Sequence, residues 1–224
     1  MTVRNAPALL VIGAAQIALG FVYHSFASLL GWSGANFLLI GMAYIWQKPG
    51  IFGKRPNGTL TAWRVALLWP YLLFTWVAWY LGSRISREAP GHLIAPGLWL
   101  GRRAYGRELP PDVSLIVDLT AELPEPRSVR QGRTYLCLPT LDGSVPDRAK
   151  MRMLVETIST WQGGVYVHCA LGRGRSALVV AAVLLAKGAA PDFASASRML
   201  KDARPSVRMN AVQRAYMGRW NAPD

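Results

Sequence analysis

The stretch "VHCALGRGRS" at Val167–Ser176 joins a thiol to two glycines and two guanidinium groups, with no acid among them. The run Val165–Val167 reads as a short buried strand. "SALVVAAVLLAKG" reads as a buried helix ending at Gly188. That order puts the loop at the carboxyl end of a strand and the amino end of a helix, where free N–H groups and the helix dipole favour an anion. Gly172 and Gly174 permit a nest of inward-facing amides, and Arg175 supplies a planar fork for two phosphate oxygens. In such a cup Cys169 is held towards the thiolate, a nucleophile aimed at phosphorus. A merely structural cysteine would leave these glycines and arginines without purpose.

A departing alkoxide needs a proton, and the loop has none to give. Asp142, in "LPTLDGSVP" after a predicted strand, is the best candidate acid, with Gly143 and Pro146 in a turn-rich loop around it. Asp147 suits the start of the following helix, where an acid stabilises the amino end. Asp118, inside the apolar "LIVDLT", reads as structural. The chemistry calls for no metal and no cofactor, and none of the three histidines clusters with acids at ligand spacing.

His168-Cys169, five residues, then Arg175-Ser176 resembles the signature of the cysteine-dependent protein tyrosine phosphatase superfamily. Gly172 and Ser176 point to its dual-specificity branch. The likeness runs over about Leu93–Trp220, through "PGLWLGR", "IVDLTAE", "LPTLD", the signature and "RPSVRMNAVQ". It implies that Cys169 forms a phosphocysteine, Arg175 clamps the transition state, and Asp142 is acid and then base. It further implies that Ser176 assists departure of the thiolate and His168 tunes Cys169. Ala170, Leu171, Gly172, Arg173 and Gly174 would line the substrate. Arg173 is similar to the second cation of the lipid-phosphate members, although those carry a basic residue where this chain has Ala170.

The elements that position the loop read as an α/β layer fold with a mostly parallel sheet. "HLIAPGLWLGR", "DVSLIVDLT", "TYLCLP" and "VYVHC" are the predicted strands, and "ELPEPRSVRQGR" a loop. "DRAKMRMLVETISTWQ", "PDFASASRMLKDAR" and "NAVQRAYMGRW" are helices beside the buried one.

The first part of the chain differs in kind. All twelve acids lie after Leu81, and the residues before Gly82 hold five Lys or Arg. Three apolar stretches, "APALLVIGAAQIALGFVY", "ASLLGWSGANFLLIGMAYIW" and "VALLWPYLLFTWVAWYLG", are near the roughly 20 residues that cross a bilayer. Three spans are expected, with two as the alternative. The resulting division is a helical transmembrane region over 1–82, a basic linker over 83–92 and a catalytic α/β domain over 93–224. Arg4 and "QKPGIFGKRPNG" sit inside by the positive-inside rule, and three spans then put the catalytic part outside. Arg84, Arg87, Arg102 and Arg103 pull it inward.

A net charge of +13 favours anionic headgroups and phosphorylated substrates. The expected partners are the lipid bilayer and a phosphorylated lipid or membrane-associated phosphoprotein, with no nucleic acid. A bacterial inner membrane is the expected location, and a reducing cytoplasm suits a free thiol. Cys137 is read as a strand residue, with a reversible disulfide to Cys169 as the sharper alternative. Two other classes compete: a rhodanese-like sulfurtransferase, whose loop is typically a residue shorter, and an inactive phosphate-binding adaptor.

Overall fold

The computed structural model describes residues 5–86 and 88–220, so Arg4 and Arg87 lie outside the described residues. The first two apolar stretches form an antiparallel hairpin, α1 (Asn5–Val22) and α2 (Ala27–Ile45), joined by a 3-10 turn at His24–Phe26. Its seam is a row of small residues spaced by seven: Ala6, Gly13 and Gly20 on α1, and Ala27, Gly34 and Gly41 on α2. A Cβ at Gly13 would lie 2.7 Å from the Gly34 carbonyl oxygen, and one at Gly34 would lie 2.6 Å from that of Gly13. The two backbones therefore touch, as small residues allow in helix pairs packed within lipid. Both helices are long and apolar enough to cross a bilayer.

The third stretch departs from the expected span. It begins as a short helix, α3 (Ala62–Leu67), breaks at Leu68 and resumes as α4 (Trp69–Ile85), which has Pro70 in its first turn. The Leu67 carbonyl accepts from the Trp32 indole of α2 at 2.9 Å. Phe37 of α2 packs its ring on Tyr71 and Phe74. Farther along α4, the indoles of Trp76 and Trp79 donate to the carbonyls of Glu122 and Ala170, each at 3.0 Å. The loop before α3 also docks on the α/β part, where the amide of Glu125 donates to the Gly58 carbonyl at 2.8 Å. Both ends of the α3–α4 segment thus meet the same α/β body.

The expected linker is not free either. Gly82 falls inside α4, and Glu88 accepts from Ser206 Oγ at 2.5 Å and pairs with Arg204 at 3.2 Å.

The α/β part holds a five-stranded sheet in the order β1-β2-β5-β3-β4. The strands are β1 (Gly91–Ala95), β2 (Leu98–Arg102), β3 (Val113–Thr120), β4 (Thr134–Thr140) and β5 (Gly164–Cys169). Only β1 runs antiparallel, since the predicted single strand "HLIAPGLWLGR" folds into a hairpin at Pro96-Gly97, with Gly97 at φ +72°. The stretch read as loop contains a short helix, α5 (Arg127–Arg130).

Four helices follow the expected pattern: α6 (Arg148–Thr160), α7 (Arg175–Ala186), α8 (Phe193–Ala203) and α9 (Ala211–Gly218). Asp147 caps α6 by accepting from the Lys150 amide at 3.0 Å, which is the structural role read for it. One sheet face carries Leu115, Val117, Val165, Val167 and Cys169 against α6 and α7. Alternation sends Ile116, Asp118, Tyr166 and His168 to the other face.

Candidate active site

Cys169 ends the central strand β5 and Arg175 begins α7, so residues 170–174 form the turn between them. The carbonyls of this loop are tied outward one after another. The Arg103 amide donates to Cys169, the Trp79 indole to Ala170, Arg204 to Leu171 and Gly172, and the Arg208 amide to Arg173. With its carbonyls held outside, the loop turns its amides inward, the nest geometry that cradles an anion. Gly172 sits at φ +70°, and a Cβ there would meet the Gly101 carbonyl oxygen at 2.5 Å. Gly174 needs no such freedom: it takes φ −121° as the cap of α7.

Within the cup, Cys169 Sγ lies 3.3 Å from Ser176 Oγ. Burial works against the thiolate, but the Arg175 guanidinium, the Ser176 hydroxyl and the amides of Ser176 and Arg173 outweigh it and hold the thiol below its ordinary range. Arg175 is buried and braced by Glu122 in a two-pronged pair, Nη1 to Oε2 at 3.1 Å and Nη2 to Oε1 at 2.8 Å. Burial opposes its charge, yet Glu122 and Asp142 raise its pKa further. Asp142, 63% exposed, stands over the cup with Oδ1 3.2 Å from Arg175 Nη2. Sequence reasoning passed over Glu122, although it closes the quoted "IVDLTAE" just past β3, at the sheet edge where the cup forms.

His168 is built in differently from the expectation. Its ring lies on the sheet face opposite Cys169 Sγ, with Nδ1 4.0 Å from Asp118 and Nε2 3.7 Å from Glu125. Burial, helped by Lys54 and Arg103, pushes its pKa down to about 4, so the ring is neutral at pH 7. Burial and the Asp118 charge push Glu125 up to about 8.

The charge that neutralises Asp118 comes from the loop after α2. Lys54 Nζ donates to Asp118 Oδ2 at 2.5 Å, to Thr120 Oγ1 at 2.7 Å and to the Leu123 carbonyl at 2.7 Å. Neither side chain of the pair has any exposed surface. The Tyr135 hydroxyl adds a bond to Asp118 at 2.7 Å.

Asp118, Glu125 and His168 bring three metal-ligating atoms within 4.8 Å of one another, a grouping that their spacing in the chain concealed. It corrects the expectation that no histidine joins acids. The Lys54 ammonium already occupies the carboxylate a cation would need, so the residues do not fit a metal.

The proposed disulfide is corrected too. Cys137 of β4 pairs in register with Asp118, which pairs with His168, so β3 separates the two cysteines and they face opposite sides. Two strand spacings are about 9.6 Å, beyond the Cα separation of about 6.8 Å that a disulfide spans.

The α/β sheet and the cup define a phosphatase of the cysteine type. Residues 111–222 match the model of the dual specificity phosphatase catalytic domain, and the chain belongs to that family. It is a cysteine-dependent phosphatase. Human DUSP28 is similar in structure at 25% identity and TM-score 0.53, over 59% of this chain and 93% of that one. PTPMT1 in complex with PI(5)P aligns at 24% identity and TM-score 0.52, over 58% and 94%. The human tyrosine phosphatase-like serine/threonine/tyrosine-interacting protein aligns at 23% identity and TM-score 0.53, over 60% and 97%. Among curated proteins none matches the chain.

Proposed function

We propose that the protein is a membrane-anchored phosphatase that hydrolyses a phosphomonoester on a phospholipid or phosphoinositide headgroup. The thiolate of Cys169 attacks phosphorus, forming the S–P bond as the bond to the leaving oxygen breaks. Asp142 gives that oxygen its proton. A water then attacks the phosphocysteine, Asp142 takes the proton of the water, and the S–P bond breaks to release phosphate. Ser176 donates a hydrogen bond to the returning thiolate. Arg175, fixed by Glu122, and the amides of residues 170–174 hold the equatorial oxygens, where charge gathers in the transition state. His168 acts by position: its buried ring fixes the strand end that carries Cys169.

One observation carries the substrate class. The cup lies at the end of a cavity of about 620 Å³ whose other wall is built from α1, α2 and α4. The helices that read as a membrane anchor are therefore part of the active site. PTPMT1 in complex with PI(5)P is one case in which this fold holds a phosphoinositide.

The anchor in this reading is the α1–α2 hairpin, crossing twice, with α3–α4 entering and leaving on one side. Lys48, Lys54, Arg55, Arg64 and Arg84 then share the face of the catalytic part, and the positive-inside rule assigns that face to the cytoplasm. The two charge signals that three spans set against each other agree with two. The test is phosphate release by the full chain in detergent from phosphatidylglycerophosphate, phosphoinositides and phosphotyrosine and phosphoserine peptides, with Cys169→Ser as control. A preference for lipid, absent in the control, is expected. A preference for peptides refutes the lipid assignment. Reagent access to single cysteines at Ser25 and Asn57 checks topology, which requires opposite sides.

A further inference from the structure

The cavity that holds the cup is also lined by two helices, α1 and α4, that each pack more closely on α2 than on each other. α1 packs along α2, and α2 meets α4, while α1 and α4 approach each other less closely, and side chains from both line the cavity. We infer that this gap is a lateral slot through which a diacyl phospholipid reaches the cup from the bilayer, its glycerol and upper acyl chains lying between α1 and α4. The inference rests on the lipid phosphatase reading and adds the route and the binding site.

The cavity has two kinds of wall. At the cup end stand Arg175, Arg173 and Arg208 with the acids Glu122 and Asp142. The helical wall is Ala8, Leu9, Tyr44, Tyr71, Phe74 and Ala78. None of α1 to α4 contains an Asp or Glu. This pairing of cations with small and aromatic surface matches a phosphate ester joined to a glycerol and its acyl chains.

The mouth of the slot is continuous with surface that suits lipid. Phe74 is 57% exposed, and beside it on α4 Leu73, Val77 and Leu81 are exposed as well. Water would cover this face at a cost, whereas acyl chains would not. A phosphopeptide finds less to hold. Its main chain needs free N–H and C=O groups, and the helical walls have spent theirs internally.

The test plugs the slot from its helical wall. Ala8→Trp and Ala78→Trp proteins would be placed in phosphatidylcholine vesicles. Each would be given phosphatidylglycerophosphate or phosphatidylinositol 5-phosphate in dioleoyl and dihexanoyl forms, and para-nitrophenyl phosphate. The ratio of kcat/KM on dioleoyl lipid to that on para-nitrophenyl phosphate is expected to fall about tenfold or more, the equivalent of roughly two methylene groups losing their burial. An unchanged ratio in both variants overturns the slot. A fall in all substrates together overturns it also, because the plug then acts on the cup.

Photolabelling guards against a variant that fails to fold. A dioleoyl-type phosphomonoester lipid with a mid-chain diazirine, held by Cys169→Ser protein, is expected to label peptides of α1 and α4. Label confined to other segments overturns the route. If the unsubstituted protein hydrolyses phosphopeptides and no lipid, the lipid reading itself has failed, a result distinct from hydrolysis of lipid that ignores the plugs.

Discussion

Lys54→Met removes one charge from the most deeply buried ion pair outside the cup while keeping much of the side chain's volume. Burial opposes ionisation of Asp118, and Lys54 is the strongest of the groups that overcome it and hold the carboxyl far below the ordinary range. Breaking such a pair by deleting one partner costs about 3–5 kcal/mol, because the remaining charge is left uncompensated. For a chain of this size each kcal/mol moves Tm by about 2–4 °C, so a fall of roughly 6–20 °C is expected.

The sign with pH follows from linkage. In the parent, the depressed carboxyl of Asp118 stabilises the fold above the unfolded value of about 3.9 and loses that effect as pH falls through the folded value. In the variant the carboxyl loses the strongest group that depresses it, so its folded value rises and the deficit is smaller at acid pH than at neutral pH. Lys54→Met/Asp118→Asn, which removes both charges, should recover half of the loss or more, since an absent pair is cheaper than a broken one. The assay is thermal unfolding in detergent at both pH values. A single variant within about 2 °C of the parent, or a double variant no better than the single, would refute the reasoning.

Ser176→Ala removes the hydroxyl 3.3 Å from the thiol and so raises the pKa of Cys169. Activity depends on the thiolate and rises with pH through that pKa, so the acid limb of kcat/KM, and the pH dependence of iodoacetamide labelling, should both move upward. Asp142→Asn should lower kcat about 10²–10⁴-fold on alkyl phosphates, the usual contribution of a positioned acid. Its effect on para-nitrophenyl phosphate, whose leaving group needs little protonation, should be much smaller, and equal losses on both would count against Asp142. Gly34→Ala pushes a methyl against the Gly13 carbonyl oxygen and should lower Tm, whereas Gly31→Ala, with nothing within 4 Å of its Cβ, should leave Tm level or raise it.

The cup was legible because its chemistry is local. Cys169, Gly172, Arg175 and Ser176 lie within one strand-loop-helix unit, and nearest-neighbour geometry carries most of the inference. Asp142 was reachable for a similar reason, since a strand end and a turn precede it. Glu122 and Lys54 were not, because each acts across the sheet on a residue far away in sequence. Lys54 was misleading as well: in a basic loop between apolar runs it read as a topology signal, and only the packing reveals an ammonium with no exposed surface. The third apolar stretch failed for a different reason. Hydropathy reports that a segment avoids water and is silent on whether lipid or protein covers it. Here Trp76 and Trp79 spend their indole N–H groups on carbonyls of the α/β part. The small-residue row at intervals of seven was present in the sequence all along, and becomes informative once two copies of it face each other.

The contacts made by α4 bear on what the apolar region is for. A nest of inward amides exists only while its carbonyls are held outward, and the Ala170 carbonyl is held by the Trp79 indole at 3.0 Å, with the Arg103 amide at 3.3 Å. The same indole ring lies 4.6 Å from the guanidinium carbon of Arg103, whose amide holds the Cys169 carbonyl. Two successive peptide groups of the cup are thus oriented by one helix of the apolar region and the strand end it packs upon. On the opposite face of the sheet, Lys54 neutralises the carboxylate beside His168. An anchor that served only to keep the enzyme near a surface would need neither contact, and any other hydrophobic hairpin would serve. These contacts make the helices a part of the phosphate site, so the packing of the apolar region and the shape of the cup are set together.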